Sequence, residues 1–131
     1  MLESAPARHG TIAILGASGT AGDGILKASL ADPEIKKIVV VTRRTTPRIA
    51  AGVASGKVQM ILHKDYLDYS VIQKDLVPLE AVFWAIGISS LGVDEETYGM
   101  IHVDFPVRFV TEWLSVTSKS AISFHYISSS A

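Results

Sequence analysis

Short apolar runs alternate along this chain with longer segments in which apolar residues recur every three or four positions. Each short run is apolar on successive residues, which is typical of a strand buried on both faces, and the longer segments predict amphipathic helices. The predicted strands cover residues 11–15, 38–41, 58–62, 81–87 and 121–127. Because alternating strands and helices are joined by right-handed crossovers, the pattern predicts a parallel, doubly wound α/β sheet with strand order 3-2-1-4-5.

The predicted helices cover about residues 20–31, 69–76 and 94–115. Asp32 and Pro33 end the first helix, because the residue before a proline is pushed out of the helical conformation. Pro106 lies inside the third helical segment, so it predicts a kink or a break near Asp104.

The rest of the chain predicts little additional structure. We expect residues 1–10 to form a loose lead-in of small and polar residues. Residues 45–56 are predicted to be a connector with weak helical character. The length of the chain predicts one domain, at residues 11–131. In the third helical segment, aromatic residues recur every four positions and predict a stripe facing the core, formed by Phe105, Phe109 and Trp113.

The first strand runs directly into a turn, GASGTAG at residues 16–22, with glycine at every third position. Gly16 would let the chain reverse, Gly19 would let backbone N–H groups approach a pyrophosphate, and Gly22 would let the helix pack close to the strand. The N-terminus of that helix supplies partial positive charge for phosphates. The spacing differs from the usual G-x-G-x-x-G, but its position between a strand and a helix favours cofactor binding over a purely structural turn.

Basic residues follow the second strand. Arg43 and Arg44, with Arg48 further along, stand where a dinucleotide fold reaches the adenosine ribose, and no acid lies near this strand end. An acid there would accept a hydrogen bond from the 2′-hydroxyl of NAD, whereas arginine would hold the 2′-phosphate of NADP. The sequence therefore favours NADP(H) over NAD(H), and over the alternative of a solvated basic loop.

The ends of the third and fourth strands complete the predicted site. Asp65 would accept from the exocyclic amine of adenine, or alternatively Asp65 or Asp68 would cap the following helix. Ala85, Ile86 and Gly87 end the fourth strand, where small residues would let a ribose or a nicotinamide approach the backbone.

Composition narrows the range of functions. The 131 residues have a formal net charge of −1, which gives no basic footprint for nucleic acid or anionic lipid. The absence of cysteine excludes thiolate catalysis and cysteine-ligated metal, and it fits a reducing compartment. No segment has the pattern of a signal peptide or the length of a membrane span. We therefore expect a cytoplasmic protein with no metal, nucleic-acid or membrane partner.

With these motifs in order, the chain resembles the short-chain dehydrogenase/reductase superfamily, and within it the atypical NAD(P)-binding, epimerase-like branch with a G-x-x-G-x-x-G turn. The resemblance covers nearly the whole chain after residue 10 and includes the serine-rich end of the fifth strand, at residues 127–131. It implies a Rossmann domain, truncated after strand five, that binds NADP(H). The residues implied around the pyrophosphate are Gly16, Ser18, Gly19, Thr20, Ala21 and Gly22.

The resemblance also implies how the chain would take part in chemistry. Ser130 matches the family's catalytic serine or threonine region and would polarise a substrate carbonyl. Two features depart from the family. His102 stands about where many relatives have asparagine, and no tyrosine in the chain is followed by lysine four residues later, so the Tyr-x-x-x-Lys pair is absent.

Two functions follow from this resemblance. The first is the NADP(H)-binding portion of an oxidoreductase or epimerase-like protein acting on an unknown small molecule, with little catalysis by this chain alone. The second is a non-catalytic nucleotide-binding regulatory or interaction module. In either case the outer edge of strand five would be unpaired and would favour self-association.

Overall fold

The computed structural model describes residues 10–87 and 94–127 and contains one sheet of five parallel strands. The strand order is β3-β2-β1-β4-β5, so the predicted doubly wound Rossmann-type fold and its order are confirmed. The strands are β1 (Thr11–Leu15), β2 (Lys37–Thr42), β3 (Val58–Leu62), β4 (Leu79–Trp84) and β5 (Ser123–Tyr126).

Helices connect the strands across both faces of the sheet. The helical elements are α1 (Thr20–Ala31), α2 (Pro47–Ser55), α3 (Gln73–Leu76) after a 3₁₀ turn (Ser70–Ile72), α4 (Glu95–Gly99), a π-helical turn (Met100–Asp104) and α5 (Phe105–Val116). None of the helices in the described part of the chain is long and apolar enough to cross a membrane.

Successive residues of the central strands supply two separate cores, because side chains alternate between the faces of a sheet. Ile12 and Ile14 of β1 point to the face that packs against Leu26 of α1 and Ile49 of α2. The opposite face is larger and more aromatic, and it contains Ala13, Leu15, Val82, Trp84, Tyr69, Phe109 and Trp113. Burial on both faces explains why successive residues of the two central strands are apolar, from Ile12 to Leu15 in β1 and from Ile38 to Val41 in β2.

The segment predicted as a connector at residues 45–56 is in fact a helix, so that prediction was wrong. The Thr46 side chain accepts a hydrogen bond from the Ile49 N–H, Pro47 occupies the first turn, and Gly56 ends the helix at φ +88°. These are ordinary helix start and stop signals. The helix is held by tertiary contacts, since Ile49 is fully buried and Gly52 packs directly against Val58.

Several strand boundaries also differ from the prediction. β4 begins at Leu79, two residues early, and ends at Trp84, because its pairing with β1 ends at Leu15. β5 is limited to four residues, the ones with partners on β4. Near Asp104, where a kink or a break was predicted, the π-helical turn passes directly into α5, and the backbone stays helical through Asp104 and Phe105.

Candidate functional site

A cleft of about 560 Å³ opens at the carboxyl ends of β1, β2 and β4. This is the position where the sheet order reverses between β1 and β4, and ligands of doubly wound folds bind at such a switch point. The lining residues are Gly16, Ser18, Gly19, Thr42, Arg43, Arg44, Tyr66, Ala85, Ile86, Gly87, Ile101 and Phe105. The chain positions predicted from the first, second and fourth strand ends therefore meet at one site.

Two of the three turn glycines are required by packing within the protein. Gly16 has φ +94°, and a Cβ there would lie 2.5 Å from the carbonyl carbon of Ala85. At Gly22 a Cβ would collide with the carbonyl of Gly16. Gly16 thus permits close contact between β1 and the end of β4, and Gly22 permits close contact between α1 and the turn.

Gly19 is different from its two neighbours. It has φ −90°, and the nearest protein atom to a Cβ built there is the Gly16 carbonyl oxygen at 3.6 Å. Neither backbone strain nor internal packing therefore requires glycine at this position. Gly19 lines the cleft, and the space beside it is open as far as the described residues extend.

Gly19 is also the N-cap of α1, and no side chain from the described part of the chain caps this helix. The first N–H groups of a helix have no partner within the helix and carry partial positive charge. Thr20, Ala21 and Gly22 form the first turn of α1 but are not among the residues that line the cleft. This arrangement has both the space and the donors that a phosphate group needs.

The arginines predicted after β2 lie on the wall of the same cleft. Arg43 and Arg44 are exposed, and Thr42 fixes the turn that carries them. The Thr42 hydroxyl donates to the Arg44 carbonyl at 2.7 Å and accepts from the Arg44 N–H at 3.2 Å. Among the described residues, none of the cleft's lining side chains is acidic.

Arg48, the third basic residue of this segment, does not line the cleft. Its Nε lies 2.7 Å from Oδ1 of Asp23, and the hydrogen bond with this carboxylate raises the pKa of Arg48. Asp23 is the acidic residue in the first turn of α1. The ion pair therefore offsets a negative charge close to the helix end that faces the cleft.

Tyr66, which sequence reasoning did not assign to the site, forms part of the cleft wall. Burial raises the pKa of its phenol, and the nearby Arg43 partly opposes that effect. Its ring packs against Phe105, with centroids 5.6 Å apart. Its place directly after a predicted strand end was the available signal, but an aromatic residue in a loop is not specific enough to identify a binding residue.

The loop after β3 is organised by His63 and by its two aspartates. The His63 Nε2 donates to the carbonyls of Asp65 and Asp68, at 2.7 and 2.9 Å. The Asp65 carboxylate accepts from the Leu67 N–H, whereas that of Asp68 accepts from the Ser70 N–H at the start of the 3₁₀ turn. Neither aspartate is a helix cap, because the 3₁₀ turn and α3 have Tyr69 and Ile72 at their N-caps and no side-chain cap bond there. Asp65 is outside the cleft lining, and its contact with adenine stays a prediction.

Ala85, Ile86 and Gly87 close the cleft at the end of β4. The Ala85 N–H donates to the Leu15 carbonyl at 2.7 Å, which extends the pairing of β1 and β4 by one bond. A Cβ at Gly87 would lie 3.0 Å from the His102 ring. The candidate catalytic Ser130 lies outside the described residues.

The described part of the chain contains no candidate metal-binding site. Within residues 10–87 and 94–127, no group of three or more His, Asp or Glu side chains could hold a metal ion. The donors in the cleft are backbone N–H groups and guanidinium groups, which suit phosphate oxygens.

No protein-family model matches the chain. Two curated fungal proteins have similar sequences. The chain is 29% identical over 118 residues to "Leucinostatins biosynthesis cluster protein T" of Purpureocillium lilacinum, covering 88% of this chain and 41% of that protein. It is 28% identical over 88 residues to "Protein fmp52, mitochondrial" of Emericella nidulans, covering 67% and 36%. The chain thus spans about two fifths of the length of these relatives.

Solved structures with the same fold include the following proteins. DesIV, a dTDP-glucose 4,6-dehydratase from Streptomyces venezuelae solved with NAD, has a TM-score of 0.68 and 15% identity over 81% of this chain and 36% of that chain. UDP-glucuronic acid 4-epimerase from Bacillus cereus, in complex with NAD, has a TM-score of 0.67 and 21% identity, with coverage of 92% and 40%. Carbonyl reductase Sniffer of D. melanogaster has a TM-score of 0.65 and 15% identity, with coverage of 82% and 51%.

These neighbours are dehydratases, epimerases and reductases, the class of proteins that the sequence motifs resemble. The region that matches this chain covers only 34% to 51% of the length of these solved chains. The chain therefore has a Rossmann-type fold that corresponds to one portion of these larger proteins.

Proposed function

We propose that this chain is the NADP(H)-binding portion of an oxidoreductase or epimerase-like protein of the short-chain dehydrogenase/reductase superfamily. The observation that carries the proposal is Gly19, a glycine that internal packing does not require, at an uncapped helix N-terminus in a cleft at the sheet's switch point. This combination supports a site for a phosphate-containing ligand.

The pyrophosphate would lie against the turn between β1 and α1. The proposed contacts are the backbone N–H groups of Ser18, Thr20 and Ala21, beside the open space at Gly19, whose own N–H donates to the Gly16 carbonyl at 3.1 Å; Gly16 and Gly22 give the turn its shape. The ion pair of Arg48 with Asp23 reduces the repulsion that an uncompensated carboxylate would exert on this group.

The adenosine end would lie near β2 and β3. Arg43 and Arg44 would bind the 2′-phosphate, and the absence of an acidic side chain among the described cleft residues removes the usual repulsion of that group. Tyr66 would contribute an apolar surface beside Arg43, and Asp65 remains the proposed acceptor for the adenine amine. NADP is therefore preferred over NAD in this proposal.

The nicotinamide end would lie near Ala85, Ile86 and Gly87. When bound, the cofactor supplies hydride transfer, and the chain supplies its orientation. Ser130 is proposed to polarise the carbonyl of a small-molecule substrate. Because the chain has no Tyr-x-x-x-Lys pair to move the proton, little turnover is expected from it alone.

Cofactor titration tests this function directly. NADPH should bind the purified chain more tightly than NADH, and Arg43→Ala should weaken NADPH binding by about tenfold or more, since a charge-assisted hydrogen bond is lost. NADH binding should change little in the same variant. Equal affinities for the two cofactors would contradict the assignment of the 2′-phosphate, and no binding of either would overturn the proposed function.

A second candidate function is a self-associating interaction module. The β5 edge has no paired strand among the described residues, and its segment, SFHY, carries no charge that would repel a second copy. An apolar groove of about 380 Å³ adjoins it, lined by Val103, Val107, Val110, Phe124 and Tyr126 among others. Two copies related by a twofold axis could pair their β5 strands in antiparallel fashion.

The cytoplasmic location also stays a proposal. It rests on the absence of cysteine from the chain. One relative carries the word mitochondrial in its name, so fractionation of cells that express the protein would separate the two compartments. Recovery in the mitochondrial fraction would contradict the proposal.

A further inference from the structure

His63 follows β3 directly and is held both by the sheet and by the aromatic core. Its backbone N–H donates to the Thr42 carbonyl at 2.9 Å, which extends the pairing of β3 with β2 by one bond. The residue is buried, and its imidazole stacks on the ring of Tyr69, with centroids 5.4 Å apart and 25° between the planes. Tyr69 in turn packs edge-on against Phe109 of α5, with centroids 5.1 Å apart. The imidazole is therefore fixed relative to the end of β2, the strand that leads into Arg43.

The same imidazole holds the loop that comes next in the chain. Its Nε2 lies 2.7 Å from the carbonyl oxygen of Asp65 and 2.9 Å from that of Asp68. A carbonyl oxygen can only accept, so Nε2 carries a hydrogen and donates to both. The Asp65 carbonyl also accepts from the Asp68 N–H at 3.2 Å, which closes residues 65–68 into a turn. One side chain thus ties both ends of this turn to the sheet.

Tyr66 is the residue of this turn that lines the cleft. Only 8% of its surface is exposed, and its ring packs against Phe105 at the start of α5, with centroids 5.6 Å apart. Burial raises the pKa of its phenol, and the charge of Arg43 partly opposes that effect, so the two side chains are neighbours. The place of Tyr66 in the cleft wall consequently depends on the turn that His63 holds.

We infer that His63 is a positioning residue for the cleft: its Nε2–H holds the turn at residues 65–68 and thereby places Tyr66 in the wall beside Arg43. A turn that is ordered before the ligand arrives lowers the entropy cost of binding. That the ligand is NADP(H), with its adenosine end next to Tyr66, rests on the function proposed above. The order of the turn does not depend on that identification, and it can be measured separately.

The test compares two amide variants of His63 that differ by one methylene group. The amide nitrogen of Gln is as many bonds from Cα as the Nε2 of His, whereas that of Asn is one bond nearer. Both variants lose the ring that stacks on Tyr69, so the difference between them isolates the donor. We expect His63→Gln to keep the turn and His63→Asn to lose it.

Two measurements follow the turn and the cleft in these variants. Relative to His63→Gln, His63→Asn should lower the protection from hydrogen exchange of the Leu67, Asp68 and Ser70 amides, which are hydrogen-bonded within this loop. It should also weaken NADPH binding by about two- to tenfold, the usual effect of one lost hydrogen bond. The amides of β1 should be equally protected in both variants, whereas a general loss of stability would lower their protection.

A double-mutant cycle tests whether His63 acts through Tyr66. In the Tyr66→Leu background, His63→Asn and His63→Gln should bind NADPH with the same affinity, because the ring that the turn positions has been removed. Tyr66→Leu by itself should weaken NADPH binding, since it takes away the aromatic surface of the wall.

Two results would overturn the inference. One is equal NADPH affinity of His63→Asn and His63→Gln when Tyr66 is present. The other is a difference between these variants that remains equally large in the Tyr66→Leu background. If the unmodified chain does not bind NADPH, the proposed function fails, and the exchange measurements on the loop then decide the role of His63.

Discussion

The guanidinium of Arg48 on α2 lies 2.7 Å from the carboxylate of Asp23 in the first turn of α1. The two side chains are about 40% exposed, so their pairing contributes little to folding. Its importance lies in its place, because a carboxylate in this turn is close to the proposed pyrophosphate position. The pair lowers the negative charge that a dinucleotide would meet.

Removing Arg48 should therefore weaken the binding of both cofactors by similar factors. For Arg48→Ala we expect a loss of about two- to fivefold for NADPH and NADH alike, the size of a helix-terminus charge effect. Titration of both cofactors measures it. Asp23→Asn in the same chain should restore binding, and a loss confined to NADPH would instead assign Arg48 to the 2′-phosphate.

The three turn glycines should separate into two classes when each is replaced by alanine. Gly16→Ala and Gly22→Ala should destabilise the fold by about 1–3 kcal/mol, through positive φ in one case and overpacking in the other. Gly19→Ala should cost less than about 1 kcal/mol and reduce NADPH affinity. Denaturant unfolding and cofactor titration measure the two effects.

Gly24 supplies the control for this series. It lies in α1, it is exposed, and a Cβ there would meet no atom within 4 Å. Gly24→Ala should stabilise the protein by about 0.8–1 kcal/mol and leave cofactor binding unchanged. If Gly19→Ala binds NADPH as well as Gly24→Ala does, the role of the turn in pyrophosphate binding is wrong.

Two buried tyrosines should make the fold sensitive to alkaline pH. Burial raises the pKa of both Tyr66 and Tyr69, and the Tyr69 hydroxyl has no hydrogen-bond partner within residues 10–87 and 94–127. A raised pKa favours folding below the unfolded value of about 10, and that contribution is lost as the pH rises above it. The free energy of unfolding should therefore fall as the pH rises above about 10, the unfolded value.

Tyr69→Phe should reduce this alkaline loss. It removes one ionising group, and at neutral pH it should also stabilise the fold by about 1 kcal/mol, because an unsatisfied buried hydroxyl disappears. Urea unfolding at several pH values gives both results. An identical pH dependence in the variant would show that Tyr69 does not control alkaline stability.

The exposed edge of β5 predicts association of the chain with itself. Ser123→Lys places a charge on this edge and should shift a dimer or larger species toward monomer in sizing chromatography. Ala54→Lys, on the exposed surface of α2, adds the same charge elsewhere and should leave the elution volume unchanged. A monomer in the unmodified chain would mean that the edge does not mediate self-association.

Sequence patterns were sufficient for the fold because the signals were local and strong. The short, mainly apolar runs favoured strands over helices, and their alternation with helical segments predicted the order 3-2-1-4-5. Helix α2 was missed although Thr46, Pro47 and Gly56 are standard helix-terminus residues. The short apolar face of this segment was weak evidence for a helix by itself. The burial of Ile49 against the sheet is a tertiary contact, and the sequence pattern does not show it.

For the site, the sequence by itself determined which strand ends carry glycines and arginines, since a parallel sheet brings its carboxyl ends to one edge. Only the tertiary structure decided that Gly16 and Gly22 serve packing while Gly19 faces open space, because that distinction depends on which atoms surround each Cα. It also decided that Arg48 pairs with Asp23 and that Tyr66 joins the wall. These relationships join residues distant in the chain, and short-range spacing carries no information about them.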